Sequence, residues 1–504
     1  MEKVVLLNLP SPPGMDVYRD TAGAYGTALY VRRPDYGHSS NVFFPTFIPY
    51  LATTLSREGY QVQVVDGQAE RYTLGRFVAR VEHEKADALI AMLSLPSLSG
   101  DCEVLMELKR NQPKTPLIGI GPVCVPLAHE VLSRSGVDLL VKGLYPFYHS
   151  PILEFLRQMK QKPLPRAREI PGTIFLDEAG SNSSLVDMPA QTDRADGSLD
   201  DLDLEVYRLL PMQKYRLAAM GPRGQLTNYF PILGGKGCPF CCMYCPYPSG
   251  YGKRLVLKSP DIVANEMAFL RENFGVNAFL FRDQLFSANS HRVETLCDTI
   301  LARGLDVHWA VEARIDEVSR PMLNRMKRAG CIRIQYGVET GDPALLEKVG
   351  KPGLGLERIR EGFDHTVHEG IFAVAFVLFG LPGEDMAAAE KTIDFVLRLN
   401  CDNVLCSVVT PYPGTKLFDL AHEKRLILSY DWRRYTSRHV VMRTEKLSGG
   451  DLARVRSSFM RRFRLKQVCR MFHHSPSRSV GALSWHGAAY RLRMAREQLF
   501  ARKA

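Results

Sequence analysis

Gly234-Gly235-Lys236-Gly237-Cys238-Pro239-Phe240-Cys241-Cys242-Met243-Tyr244-Cys245-Pro246 is the stretch around which the chain is organised. Cys238, Cys242 and Cys245 stand in a C-x3-C-x2-C spacing. Three thiolates this close on a glycine-rich loop can hold three irons of a cubane cluster. The fourth iron is then left for an exogenous chelator, whereas ferredoxin clusters use four cysteines. A structural zinc site would need paired Cys or His groups to complete its tetrahedron, and no second C-x2-C or C-x3-C pair follows. Buried thiols are the other plain alternative. Cys241 lies inside the triplet but out of register and is read as a bystander.

Outward from this loop the chain alternates short apolar runs with amphipathic helices. Downstream, strands are expected near 229–234, 277–282, 308–314, 331–338, 371–380 and 403–409. Helices are expected near 260–273, 290–303, 319–329, 355–369, 385–399 and 415–424. The first helix is well punctuated, with Ser259 as N-cap, Pro260 in the first turn and Val263, Met267, Leu270 and Phe274 on one face. Gly304 and Gly330 stand at helix ends. Six βα units in a row predict a partial (βα)6 barrel, whose chemistry belongs at the carboxyl ends of the strands.

Upstream, strands are expected at Val4–Asn8, Val62–Asp66, Ala88–Leu93, Leu117–Ile120 and Leu139–Val141, with helices near 46–58, 72–84, 99–111, 126–135 and 150–160. Apolar strands each followed by a helix predict a parallel sheet covered on both faces. Ligands of such sheets bind beyond the carboxyl ends of the strands. Those ends carry small, turn-forming residues: Leu9 to Gly14, Asp66-Gly67-Gln68, Ser94 to Ser97 and Gly119 to Pro122. The expected division is a Rossmann-like domain over 1–160, a linker over 161–228, the barrel over 229–424 and a basic helical region over 425–504. The linker, rich in proline, serine and aspartate, is expected to wrap the outside with one short strand, Thr173–Leu176.

Composition bounds the rest. The 504 residues, 45% hydrophobic and 24% charged, are ordinary for a globular chain of several domains. No apolar run approaches the ~20 residues that span a bilayer, and Met1 to Leu7 reads as a buried strand rather than a signal peptide. Eleven cysteines, an odd number with four of them clustered, indicate a reducing cytoplasm rather than a disulfide framework. The net charge of +11 is carried by residues 451–504, with thirteen Lys/Arg against two Asp/Glu. A solvated helix is preferred there to a membrane-surface one, because the apolar face of Phe459 to Lys466 is short. No nucleic-acid recognition module is visible.

The cysteine spacing with Tyr244 before its last member resembles the radical S-adenosylmethionine (SAM) superfamily. A Rossmann-like domain ahead of it resembles the cobalamin-binding, B12-dependent class, whose first loop is matched by Pro10 to Gly14 with Arg19. The resemblance implies α/β architecture: a flavodoxin-type cobalamin-binding domain, a partial (βα)6 radical SAM barrel and a helical C-terminal cap. It implies a [4Fe-4S] cluster on Cys238, Cys242 and Cys245. SAM would be contacted by Tyr244, by Asp283 at its amino group, by Arg314 at its carboxylate or ribose, by Glu339, and by Gly380 and Pro382 beside the adenine. Cobalamin would be contacted by Pro12, Asp66, Ser94, Ser97, Gly119 and Gly121. Departures are the missing D-x-H-x-x-G histidine after Asp66, Gln284 for a second aspartate, and Gly143-Leu144-Tyr145-Pro146 for an acidic strand end.

By the same resemblance the chain is expected to be a cobalamin-dependent methyltransferase. SAM cleavage would give a 5′-deoxyadenosyl radical that activates a carbon of a small-molecule substrate, and an external donor such as flavodoxin or ferredoxin would supply electrons. The alternatives are a B12-associated radical cyclase or rearrangement enzyme, and a non-catalytic iron–sulfur protein. No residue is singled out as catalytic.

Overall fold

The computed structural model describes residues 2–19, 25, 28–30, 41–143, 146–159, 170–177, 184–189, 198–221 and 226–473. Leu144, Tyr145 and the basic segment 474–504 lie outside the described residues.

The first sheet is built from β1 (Lys3–Asn8), β2 (Gln61–Asp66), β3 (Ala88–Met92), β4 (Leu117–Ile120) and β5 (Leu139–Val141), in the order β2-β1-β3-β4-β5. All these ladders are parallel. Side chains alternate faces with period two, so one strand feeds two cores. Val4 and Leu6 enter a core shared with helix Phe47–Arg57, whereas Val5 and Leu7 enter one shared with helices Leu74–His83 and Leu98–Asn111. This accounts for strands that are apolar throughout. The chain order reverses between β1 and β3, which opens a crevice at their carboxyl ends.

The linker differs from its expected form. Two strands, β6 (Thr173–Asp177) and β7 (Ser184–Asp187), extend the first sheet antiparallel from β5. Three 3₁₀ turns then carry Leu199, Leu202, Val206, Tyr207, Leu210 and Met212 into the main core. Tyr215 Oη donates to Asp66 of the first domain at 2.6 Å, and Tyr207 Oη donates to Glu266 of helix Pro260–Phe274 at 2.5 Å. The segment is a wedge between the modules, not an outer wrap. Its apolar residues are spaced among aspartates, so average composition hid them.

The second sheet runs β8 (Phe230–Ile232), β9 (Ala278–Phe281), β10 (His308–Ala313), β11 (Cys331–Glu339), β12 (Phe372–Phe379) and β13 (Asn403–Val408), in sequence order and wholly parallel. Helices follow each strand at Pro260–Phe274, Ser290–Ala302, Arg320–Arg328, Leu356–His368, Met386–Arg398 and Lys416–Glu423. This is the expected partial (βα)6 barrel.

Beyond it, Tyr435 and Val441 are buried in a core of the first domain, and Trp432 Nε1 donates to Glu130 at 3.0 Å. Helix Gly449–His473 begins beside Gly380 and buries Leu452, Val455, Phe459 and Phe463. The expected solvated helix over Phe459 to Lys466 is therefore a packed one, with the Phe459 ring 5.6 Å from that of Phe379. Several of its polar side chains have local partners. Arg462 reaches Glu390 and Asp394, while Lys466, Gln467 and Arg470 donate to the carbonyls of Leu399, Asp402 and Cys401. Cations are favourable there, where helix Met386–Arg398 presents its negative end. Among the described residues no helix is long and apolar enough to cross a membrane.

Candidate active site

After β8 the chain forms a two-rung antiparallel ladder, Gly235 with Leu257 and Lys236 with Val256, so residues 237–255 are an excursion pinned at its base. Gly237 has φ +88° and lies against the Arg254 carbonyl, a place no side chain can occupy. Cys238 N donates to Gly252 O at 3.1 Å and Cys245 N to Cys242 O at 3.0 Å. Met243 ties the loop to both neighbours, donating to Val349 O and accepting from Leu417 N. Cys238, Cys242 and Cys245 are all partly buried free thiols, and Cys241 is exposed.

Burial pushes all three thiols above their ordinary value. Cys242 and Cys238 also raise Cys245, so these donors are held close enough to disfavour a bare trianion. A cationic metal group supplies what the protein alone does not. Among the described residues no three His, Cys, Asp or Glu gather tightly enough for a single ion. A cubane differs in kind, because each thiolate binds its own iron at a separate corner. The donor set fits a four-iron cluster.

Asp283, expected as an open carboxylate, is largely committed to the loop. Its Oδ1 accepts from Gly234 N at 2.7 Å, and Gln284 Oε1 accepts from Gly237 N at 2.9 Å. Asp283 Oδ2 is buried without a hydrogen-bond partner, and burial raises its pKa to about 6. Arg314 pairs with Asp316 through two bonds of 3.1 and 2.6 Å and lies 4.0 Å over the ring of Phe240 in the cysteine loop. Gly380 N donates to Glu384 at 2.5 Å, with Leu381 and Pro382 completing the turn.

Glu339 sits where β11 slips register against β12, at φ +64°. Its Oε1 accepts from Lys351 Nζ at 2.6 Å, and Tyr244 hydrogen-bonds the same carboxylate. Lys351 joins the site although no motif singles it out; its signal is the punctuation around it, where Asp342-Pro343 starts a helix and Gly350 stops it, which returns the next residue to the strand end.

At the first domain's crevice, Asp101 is the hub. It accepts from Arg19 Nη2 at 2.5 Å, Ser97 Oγ at 2.9 Å and Ser94 N at 3.0 Å, and Arg19 Nη1 donates to Leu9 O at 2.5 Å. Two strand-end loops are thereby locked together. Ser94 Oγ is left buried and unpartnered, an acceptor and donor for a bound group. Pro12 packs toward Gly100, and Gly121, at φ +125°, presses on Leu93 O. Two expected contacts have other employment. Asp66 is saturated by Asn8, Ala69 and Tyr215, and Gly119 lies in the sheet, where a Cβ would come 2.5 Å from Leu140.

The crevice and the cysteine loop adjoin. A Cβ on Gly250, in the short helix Tyr247–Tyr251 after Cys245, would stand 2.9 Å from Pro122 at the end of β4. Tyr25, from the first domain, fills the same seam with its buried hydroxyl unpartnered.

Residues 232–396 match the Radical SAM superfamily. The chain is 25% identical to an uncharacterized methyltransferase, PH0819, of Pyrococcus horikoshii, over 82% of this chain and 85% of that one. It is 22% identical to the anaerobic magnesium-protoporphyrin IX monomethyl ester cyclase of Cereibacter sphaeroides, over 89% of this chain and 70% of that one. Its fold is that of the radical SAM methyltransferase TsrM from Kitasatospora setae, solved with cobalamin and a [4Fe-4S] cluster bound. The TM-score is 0.63 at 19% identity, covering 84% of this chain and 75% of TsrM. The superfamily match spans the cysteine loop and the barrel as far as helix Met386–Arg398. The build shared with TsrM is a flavodoxin-type sheet ahead of a partial (βα)6 barrel.

Proposed function

We propose that this protein is a cobalamin-dependent radical SAM methyltransferase acting on an unactivated carbon of a small-molecule substrate. The observation that carries the reading is the seam between Pro122 and Gly250, which sets the crevice of the first sheet against the cysteine loop. Cys238, Cys242 and Cys245 would hold the cluster. Tyr244, Asp283, Arg314, Glu339, Gly380 and Pro382 would surround SAM, with Asp283 toward its ammonium. Ser94, Ser97, Pro12 and Gly121 would shape the cobalamin face, while Asp66 and Gly119 support it from within the sheet. Arg19 and Asp101 join them as the lock on the loops.

When bound, the cluster supplies an electron for SAM cleavage to a 5′-deoxyadenosyl radical and cobalamin supplies a transferable methyl group. The chain's own work is positional. Asp283 and Gln284 fix the loop entrance, Arg314 braces Phe240, and Glu339 is fixed between Lys351 and Tyr244. Tyr25 and Tyr251 close the seam against water. A reduced flavodoxin or ferredoxin is the proposed electron source.

The relative named as a cyclase favours a second reading, ring closure without net methylation. The test is anaerobic turnover with SAM, cobalamin and dithionite, using extracts of candidate small molecules. Methyl transfer predicts 5′-deoxyadenosine and S-adenosylhomocysteine in equal amounts. Deoxyadenosine alone would assign the cyclase reading, and neither product would contradict both.

A further inference from the structure

We propose that Lys351 is a positioning residue that raises the electron affinity of the cysteine-held cluster, acting against Glu339 as one half of a buried ion pair. This rests on the cluster reading above.

A short helix, Pro343–Lys348, leads to Lys351. Asp342 caps it, accepting from Ala344 N at 3.0 Å and Leu345 N at 3.4 Å, with Pro343 in the first turn. Gly350, at φ +94°, ends it, and Lys351 N donates back to Leu346 O at 2.9 Å. The chain therefore reverses and returns Lys351 to the end of β11. There Nζ donates to Glu339 Oε1 at 2.6 Å and to Gly337 O at 3.0 Å, with both side chains 9% exposed.

The same reversal lies on the cysteine loop. Cys242 Sγ is 3.8 Å from Gly350 O, and a Cβ on Gly350 would stand 3.2 Å from Cys242 Cα. Val349 O accepts from Met243 N at 3.3 Å. The two charges act on the thiols in opposite senses. Lys351 favours negative charge at Cys242 and Cys238, and Glu339 opposes it at Cys242 and Cys245. Tyr244, one residue before Cys245, hydrogen-bonds Glu339 and fixes the carboxylate on the loop side.

A four-iron cluster that takes one electron from a low-potential donor, with no proton, gains one negative charge. A buried ammonium beside it stabilises the reduced form and a buried carboxylate destabilises it, because low dielectric leaves both fields weakly screened. Removing either partner therefore shifts the potential, in opposite directions. A merely structural lysine would give no such pair of signs.

The experiment is a dithionite titration with redox mediators on the full chain, reconstituted anaerobically and free of SAM. The reduced cluster is followed by electron paramagnetic resonance. Lys351→Met is expected to disfavour reduction about tenfold, a downward shift of about 59 mV for one electron. Glu339→Gln is expected to shift upward by a similar factor, and Lys351→Arg to stay within twofold of the parent. Should Lys351→Met fail to fold, Glu339→Gln decides alone: an upward shift supports the proposal and an unchanged potential overturns it. Shifts of the same sign, or both within twofold of the parent, also overturn it. A parent protein without a four-iron cluster overturns the cluster reading itself, a result distinct from a loaded parent whose variants keep its potential.

Discussion

Glu384 shows how a single residue can tie the barrel mouth to pH. It is fully buried, Oε2 accepts from Gly380 N, and Oε1 has no partner. Burial lifts its pKa to about 7 despite the backbone donors of Gly380 and Leu381. A carboxyl whose folded pKa exceeds its unfolded value binds more protons folded, so its contribution to stability falls as pH rises through that window. Between about pH 4.5 and 7 the loss approaches roughly 3 kcal/mol. Glu384→Gln removes the titration. Urea unfolding of both proteins across this range should show the variant gaining on the parent by that order. A difference independent of pH would contradict the burial argument.

The same scale sets the limits of sequence reading. The cysteine triplet was legible because its spacing is itself the chemistry. Asp283, Asp66 and Gly119 were legible as strand-end residues, yet their partners were not. Gly234 N, Tyr215 and Leu140 come from other segments, and no local pattern announces them.

At the scale of elements, strands and helices followed their apolar periods closely, because each is buried on the face that its period defines. Two elements resisted. The wedge of 3₁₀ turns has too few residues per turn to show a period, and its worth lies in contacts on both sides, from Thr53 Oγ1 to Glu266. Helix Gly449–His473 read as a charged surface because its seven Lys/Arg are interleaved with its apolar residues. Those cations serve the end of a neighbouring helix, while Phe459 is fully buried. Phe459→Ala should therefore cost about 3–5 kcal/mol and lower the thermal midpoint, whereas Arg461→Ala, on the exposed face, should cost under about 0.5 kcal/mol. Equal, small effects would mean that the helix does not depend on its aromatic face.

At the scale of the whole molecule, the two sheets are joined along one side by the wedge and along another by Trp432 and Tyr435. The joint turns the crevice of the first sheet toward the cysteine loop. This juxtaposition was not legible in the sequence, which fixes strands and helices locally but not the angle between modules. The chemistry proposed for this molecule requires a cluster held by three of the four clustered cysteines. The most direct measurement is iron, sulfide and cobalamin per chain after anaerobic reconstitution, for the parent, Cys242→Ala and Cys241→Ala. The account predicts four irons and one cobalamin in the parent, four irons in Cys241→Ala, and loss of the cluster in Cys242→Ala with cobalamin retained. Loss of iron in Cys241→Ala with retention in Cys242→Ala, or a parent without iron, would contradict it.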